Sequence, residues 1–216
     1  MLEIREYKIT ELREIFGTRD RQGIRRRLQR YGCEFQETGW GRSVVFNILT
    51  APDKFNVFCI TELNIPAQVD LRRLKMFYYA FFEDEEVMIM SDVDRENYMD
   101  EYYEHTSRQT IRNWIGYLEK ENLIDRDTVN CRYCAVKKSS DGKKTVEEIS
   151  RETYKKGWTE YWNYIKDYGD SYYAFSKACD IWGGAVCRIP RITINGIEWS
   201  KIQRLKNIII DSMLNE

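Results

Sequence analysis

At 216 residues, 43% apolar and 32% charged, the chain can bury a sizeable core in one to three small domains, which excludes an intrinsically disordered protein. A net charge of −1 excludes a protein that coats nucleic acid with its whole surface, so any basic function has to be local. No apolar run approaches the roughly 18 to 20 residues of a bilayer span, and Met1-Leu2-Glu3-Ile4-Arg5 has no signal-peptide anatomy, so a cytoplasmic protein with no membrane partner is expected.

In chain order, Tyr7-Lys8-Ile9 reads as a short strand. Thr10 then caps a helix over Glu11 to Phe16 that Gly17 ends. Thr18 or Asp20 caps a second helix to about Tyr31, with Ile24, Leu28 and Tyr31 as its buried stripe. Cys33 to Glu37, a Thr38–Arg42 turn with two glycines, and Ser43 to Ile48 make a β-hairpin directly after it. Thr50 to Gln68 is predicted as a linker around an apolar Phe55–Ile60 strand. A helix follows from about Val69 to Phe82, then a solvated Glu83–Glu86 loop and a helix from an Asp94 cap to about Tyr103.

Ser107 to Leu118 is the next helix. Ile111, Trp114, Ile115 and Leu118 form its apolar stripe, while Gln109, Asn113, Gly116 and Lys120 face the other way with Arg112 on the shoulder. Gln, Arg and Asn are the side chains able to read base edges through paired hydrogen bonds, and Gly116 leaves room for another backbone. Leu123 to Val136 and Thr145 to Ile149 are expected to form a second hairpin. Beyond Ser150 come an aromatic helix to about Tyr168, a helix from Ser171 to Trp182, a Val186–Ile194 strand, and a last helix from Ile197 to Leu214. This tail reads as a third module or as the outer layer of the second domain, with a dimer surface or protein contact as its possible use.

The helix around Arg21 and the one around Arg108 match. Arg21-Gln22-Gly23-Ile24-Arg25 aligns with Arg108-Gln109-Thr110-Ile111-Arg112, Leu28 with Ile115 and Tyr31 with Leu118. The first of them carries Arg19, Arg21, Arg25, Arg26, Arg27 and Arg30 against Asp20 alone. It repels itself unless an anion lies against it, so it is predicted to hold phosphate.

Catalytic chemistry finds little support. The one histidine, His105, falls in a turn and cannot supply a triad or a His-based zinc site by itself. The thiols of Cys131-x-x-Cys134 point to opposite faces if they lie on a strand, and the six cysteines read mostly as small buried hydrophobes. Asp92, Asp94 and the acidic run fit helix caps and a loop better than a two-metal site, and no glycine-rich phosphate loop occurs. No enzyme activity, metal or cofactor is expected.

Helix, turn, helix and hairpin in this order resemble the winged helix-turn-helix superfamily. The first copy, Tyr7 to Gly17 leading into Arg21–Arg25, is similar to many small bacterial repressors. Two copies in a chain of this size resemble plasmid replication initiators and proteins of phages and other mobile elements. The resemblance covers about residues 5 to 150. In that superfamily the second helix enters the major groove and the hairpin touches backbone or minor groove. It implies contacts from Gln22, Arg25, Arg26 and Gln29, joined by Arg19, Arg21 and Arg30, in the first unit. In the second it implies Gln109, Arg112, Asn113 and Lys120, joined by Arg108. Arg42 would serve in the first hairpin, and Lys143 and Lys144 in the second, which departs from the first by carrying Glu147 and Glu148.

The expectation is therefore a mainly helical α+β protein. A first winged helix-turn-helix spans residues 1–50, a linker 51–68, a second winged unit 69–150, and an aromatic C-terminal helical and strand extension 151–216. The expected function is sequence-specific recognition of double-stranded DNA, as transcriptional regulator or replication initiator of a mobile element or phage. The alternative is a winged-helix protein that works through protein contacts, such as an inhibitor of nucleic-acid-processing machinery.

Overall fold

The structure, a computed structural model, describes residues 2–138, 140 and 142–214, apart from the side chain of Arg42. It is mainly helical α+β, with two small three-stranded antiparallel sheets. The chain divides into two compact units, Met1–Lys75 with Ser200–Glu216, and Met76–Trp199. The stretch expected as one C-terminal extension is thus shared out, residues 151–199 to the second unit and 200–216 to the first.

In the first unit the order is β1 (Glu6–Lys8), α1 (Ile9–Phe16), α2 (Arg21–Arg30), β2 (Phe35–Thr38) and β3 (Val45–Ile48), with β3 central in the sheet order β1-β3-β2. Tyr7 lies opposite Phe46, and Phe35 opposite Ile48. Ile9, Leu12 and Phe16 of α1 meet Ile24 and Leu28 of α2 over Phe46 and Ile48, a closed apolar core. α1 begins at Ile9, one residue before the predicted Thr10 cap, because the Glu11 carboxylate reaches back to accept from the Lys8 amide at 2.8 Å. Gly17, at φ 59°, ends the helix in the left-handed conformation, and its amide donates to the Arg13 and Glu14 carbonyls. Asp20 caps α2 by accepting from the Gln22 and Gly23 amides at 3.1 and 2.8 Å.

The predicted Phe55–Ile60 strand is a helix, α3 (Lys54–Thr61). Asp53 accepts from the Asn56 amide at 2.7 Å, and Phe55, Phe58 and Cys59 bury at helical spacing, so cap and period together overrule the strand propensity of a short apolar run. The unit boundary falls within α4 (Leu71–Glu83). The last helix, α10 (Trp199–Leu214), buries Ile202, Leu205 and Ile209 within the first unit and leaves Trp199 half exposed.

The second unit runs through α5 (Glu85–Ile89), α6 (Asp92–Tyr102), α7 (Arg108–Lys120), β4 (Ile124–Lys138), β5 (Lys144–Ile149), α8 (Arg151–Tyr168), α9 (Ser171–Trp182) and β6 (Ala185–Ile194). The acidic run expected as a loop starts α5, with Asp84 accepting from the Glu86 amide at 2.9 Å. Ser91, not Asp94, caps α6. Here the hairpin strand β4 is central, in the order β5-β4-β6, and the third strand comes from the far end of the unit. Between Asp127 and Arg132 the register breaks, and the Asp127 carboxylate gathers the Val129 and Asn130 amides into a bulge. Cys134 is buried opposite Cys187, while the Cys131 thiol turns into the bulge and donates to the Thr128 carbonyl at 3.0 Å.

A glycine decides how α8 and α9 pack. A Cβ at Gly157 would lie 2.1 Å from the Trp182 indole nitrogen, which donates to the Tyr154 carbonyl at 3.1 Å. Tyr154, Trp158 and Trp182 thereby form an aromatic cluster that also takes in Tyr133 of β4. Trp162, Tyr168 and Tyr172 of the same two helices point outward, at 62%, 71% and 86% exposure.

Candidate nucleic-acid interface

On α2 the buried Ile24 and Leu28 turn Gln22, Arg26 and Gln29 to solvent, with Arg19 exposed just before the helix. Arg19 and Arg26 meet no carboxylate among the described residues. Arg21 and Arg25 do: both clasp Glu37 on β2, Arg25 through its Nε at 2.7 Å. Burial by itself would raise the Glu37 carboxyl, but the hydrogen bonds and charge of the two guanidiniums hold it below the usual carboxylate range. The clasp ties the exposed helix to its hairpin. Arg30 turns away to donate to the Ile65 and Pro66 carbonyls at 2.6 and 2.7 Å, and its burial lowers its pKa. It holds the segment after α3 in place and is not available on the α2 face.

Beside the turn lies an open depression lined by Thr10, Arg13, Glu14, Gly17, Thr18 and Arg19. The Arg13 Nε is buried there with no acceptor among the described residues. A backbone phosphate would satisfy that donor, and the sequence reading passed over Arg13 because it lies on α1, outside the arginine-rich helix. The hairpin tip holds another residue that pattern alone did not single out. Gly39, at φ 82°, would place a Cβ 2.4 Å from the Ser43 carbonyl oxygen, so the turn needs glycine, and this turn lifts Trp40 to 87% exposure. The side chain of Arg42 lies outside the described residues.

On α7, Ser107 caps the helix by accepting from the Thr110 amide at 3.3 Å. Ile111, Trp114, Ile115 and Leu118 are buried as the periodicity predicts, and the Tyr78 hydroxyl donates to the Trp114 carbonyl at 2.8 Å. The exposed front carries Gln109 and Asn113, whose amides are joined at 3.0 Å, then Gly116, where a Cβ would meet nothing, and the exposed Lys120. Arg108 and Arg112 lean off this front onto α6, pairing with Glu96 at 2.9 Å and with Asp92 at 2.6 Å.

The second hairpin gathers Lys137, Lys138, Lys143 and Lys144 toward its end, with Lys138 opposite Lys144. Lys137 is paired with Glu147 at 2.5 Å. Lys138 escaped the sequence reading because the strand was expected to stop at Val136. The Lys144 carbonyl accepts from Asn97 at 3.0 Å, which fastens the hairpin to α6. His105 is exposed and lies 2.7 Å from Asp100.

No protein-family model matches the chain, and no curated protein or solved structure is significantly similar to it.

No helix among the described residues is long and apolar enough to cross a membrane. In chemical terms the α2 surface offers two amides and two unpaired guanidiniums within one helix and its turn. The α7 surface offers two amides, a glycine and one lysine. Both sets suit hydrogen bonding to base edges; α2 combines them with more uncompensated positive charge than the single Lys120 of α7.

Proposed function

We infer that the chain is a sequence-specific double-stranded DNA-binding protein, a transcriptional regulator or replication initiator, whose first unit works as a winged helix. The observation that carries this reading is the α2 face: Gln22, Arg26 and Gln29 in the open, Arg19 beside them, and the helix clamped to its hairpin through Glu37. The order β1-α1-α2-β2-β3 with β3 central supports the winged-helix assignment of this unit. In such a complex α2 lies in the major groove, Gln22 and Gln29 read base edges, and Arg19, Arg26 and Arg13 hold phosphates. Trp40 at the hairpin tip then packs against a sugar edge or base step.

The second unit keeps the helix-turn-helix and the hairpin but draws its third strand from β6, so it is a winged helix only in part. Its α7 front acts as the lesser, sequence-sensing surface. Selection of bound duplexes from a random pool tests the proposal, followed by titration of the winner against salt. Binding should be strongly salt-dependent and should weaken in Arg26→Ala, with the log K against log salt slope falling by roughly 0.9 for the lost phosphate contact. A protein that shifts no duplex at low salt does not have this function.

The exposed Trp162, Tyr168 and Tyr172 support a second reading, in which the molecule acts on a protein partner or a second copy of itself through α8 and α9, since Tyr and Trp dominate interface hot spots. Replacing all three with serine should then abolish partner capture while leaving duplex binding intact.

A further inference from the structure

Away from the exposed α7 front, the second unit encloses a cavity of about 210 Å3 between α6, α7, β4 and β6. Arg95, Arg108, Arg112, Arg126 and Arg188 line it, Arg188 being tied to the Thr128 carbonyl at 2.7 Å, and Asp92 is the one carboxylate in the lining. Both Asp92 oxygens are already engaged, one by Arg95 at 3.0 Å and the other by Arg112 at 2.6 Å. Glu96 and Glu119, which meet Arg108 and Arg126 at 2.9 and 3.2 Å, stand outside the lining. Five guanidiniums therefore border a lining that holds a single carboxylate.

Of the five, Arg95 and Arg126 are the least exposed. Arg95 is buried, and although it donates to the Val87 and Met88 carbonyls as well as to Asp92, burial pushes its pKa down to about 10 against the pull of Asp92. The Nε–H of Arg126 is buried with no acceptor among the described residues, a costly state for a charged donor.

We propose that this cavity binds a compact phosphate-bearing anion, held by Arg126, Arg108 and Arg112. Guanidinium forks match phosphate oxygens in pairs, and a phosphate offers enough acceptors to serve several arginines at once. The volume lies below the roughly 300–1,000 Å3 of drug-sized ligand sites, so the occupant is little more than the phosphate itself. Its source is a free small molecule, because the cavity lies between helix and sheet while Gln109 and Asn113 face outward on α7. The inference does not depend on DNA binding.

The test titrates inorganic phosphate into the full chain at constant ionic strength, following heat and thermal shift. Saturable one-to-one binding is expected, weakened about tenfold or more in Arg126→Met and in Arg112→Gln, the latter at an exposed position that serves as the check should Arg126→Met unfold. Arg26→Ala, in the other unit, should bind phosphate as the parent does. No saturation by about 10 mM phosphate, or an unchanged affinity in both variants, overturns the proposal. A duplex titration on the same proteins separates the sources. Duplex binding that needs Arg126 while inorganic phosphate does not bind assigns the cavity to the DNA backbone and overturns the proposal. Intact phosphate binding without any duplex binding defeats the DNA function and sustains the cavity.

Discussion

α2 and α7 carry the same Arg-Gln-x-Ile-Arg sequence and use its arginines in opposite directions. Arg21 and Arg25 reach forward to Glu37 on the hairpin strand that follows, whereas Arg108 and Arg112 reach back to Glu96 and Asp92 on the helix that precedes. In both units the matched arginines act as braces. The resemblance between the two helices is therefore a resemblance of scaffolding, and their surfaces diverge where the sequences do. Arg26 in one stands where Asn113 stands in the other, and Gln29 where Gly116 stands. Arg19 corresponds to Thr106, which is buried. One helix presents free guanidiniums, the other an amide pair with one lysine at its end.

The strongest test of the shared scaffold lies in the core. Ile24→Ala and Ile111→Ala, both at fully buried positions, should each lower stability by about 2–5 kcal/mol in chemical denaturation. A loss under 1 kcal/mol in either would break the equivalence of the two helices. Charge separates them next. Arg19→Ala/Arg26→Ala should flatten the salt dependence of duplex binding by roughly 1.8 in slope, while Arg108→Ala/Arg112→Ala, whose charges are already paired, should change it far less. Equal slopes would put α7 on the backbone as firmly as α2. Asn113→Ala should relax discrimination between duplex sequences by about 1–3 kcal/mol with little change in slope.

Smaller still is the effect of the caps: Asp20→Ala and Ser107→Ala should each cost about 1 kcal/mol of stability. The last contrast is one of pH. Because the folded Glu37 carboxyl is held below its unfolded value of about 4.3, its contribution is complete above that pH and is lost as pH falls through the folded pKa. Glu37→Gln should remove this acid-side loss from the stability profile while lowering stability at neutral pH.

Much of this was legible in the chain. The buried stripes of α2 and α7, the glycine stop at Gly17 and the two hairpins follow from local period and turn chemistry. What sequence withheld was long-range. Nothing near Arg21 announces that Glu37, across a turn and half a hairpin, will neutralise it, and nothing near Arg30 announces the Ile65 and Pro66 carbonyls. The pairing of β6 with β4 joins residues about fifty to seventy positions apart, from Val136 with Ala185 to Ile124 with Ile194, so a strand read from its own residues gave no hint of its neighbour. Phe55–Ile60 failed for the opposite reason: a short stretch with five apolar residues in six satisfies strand and helix alike, and the Asp53 cap was the deciding signal. The aromatic helices divide between a packed cluster around Gly157 and an outward-facing set, a split that composition alone does not reveal.

The tip of the first hairpin carries its own optical reporter. Trp114 and Trp182 are 3% and 2% exposed, so their indoles emit from a dry, rigid surrounding, whereas Trp40 at 87% is fully bathed in water. Red-edge emission that acrylamide quenches readily therefore contains the Trp40 signal, and Trp40→Phe identifies how much of it comes from this hairpin. A blue shift and loss of quenching in that component on adding a duplex would time the arrival of the hairpin on its target, without a label and without disturbing either helix.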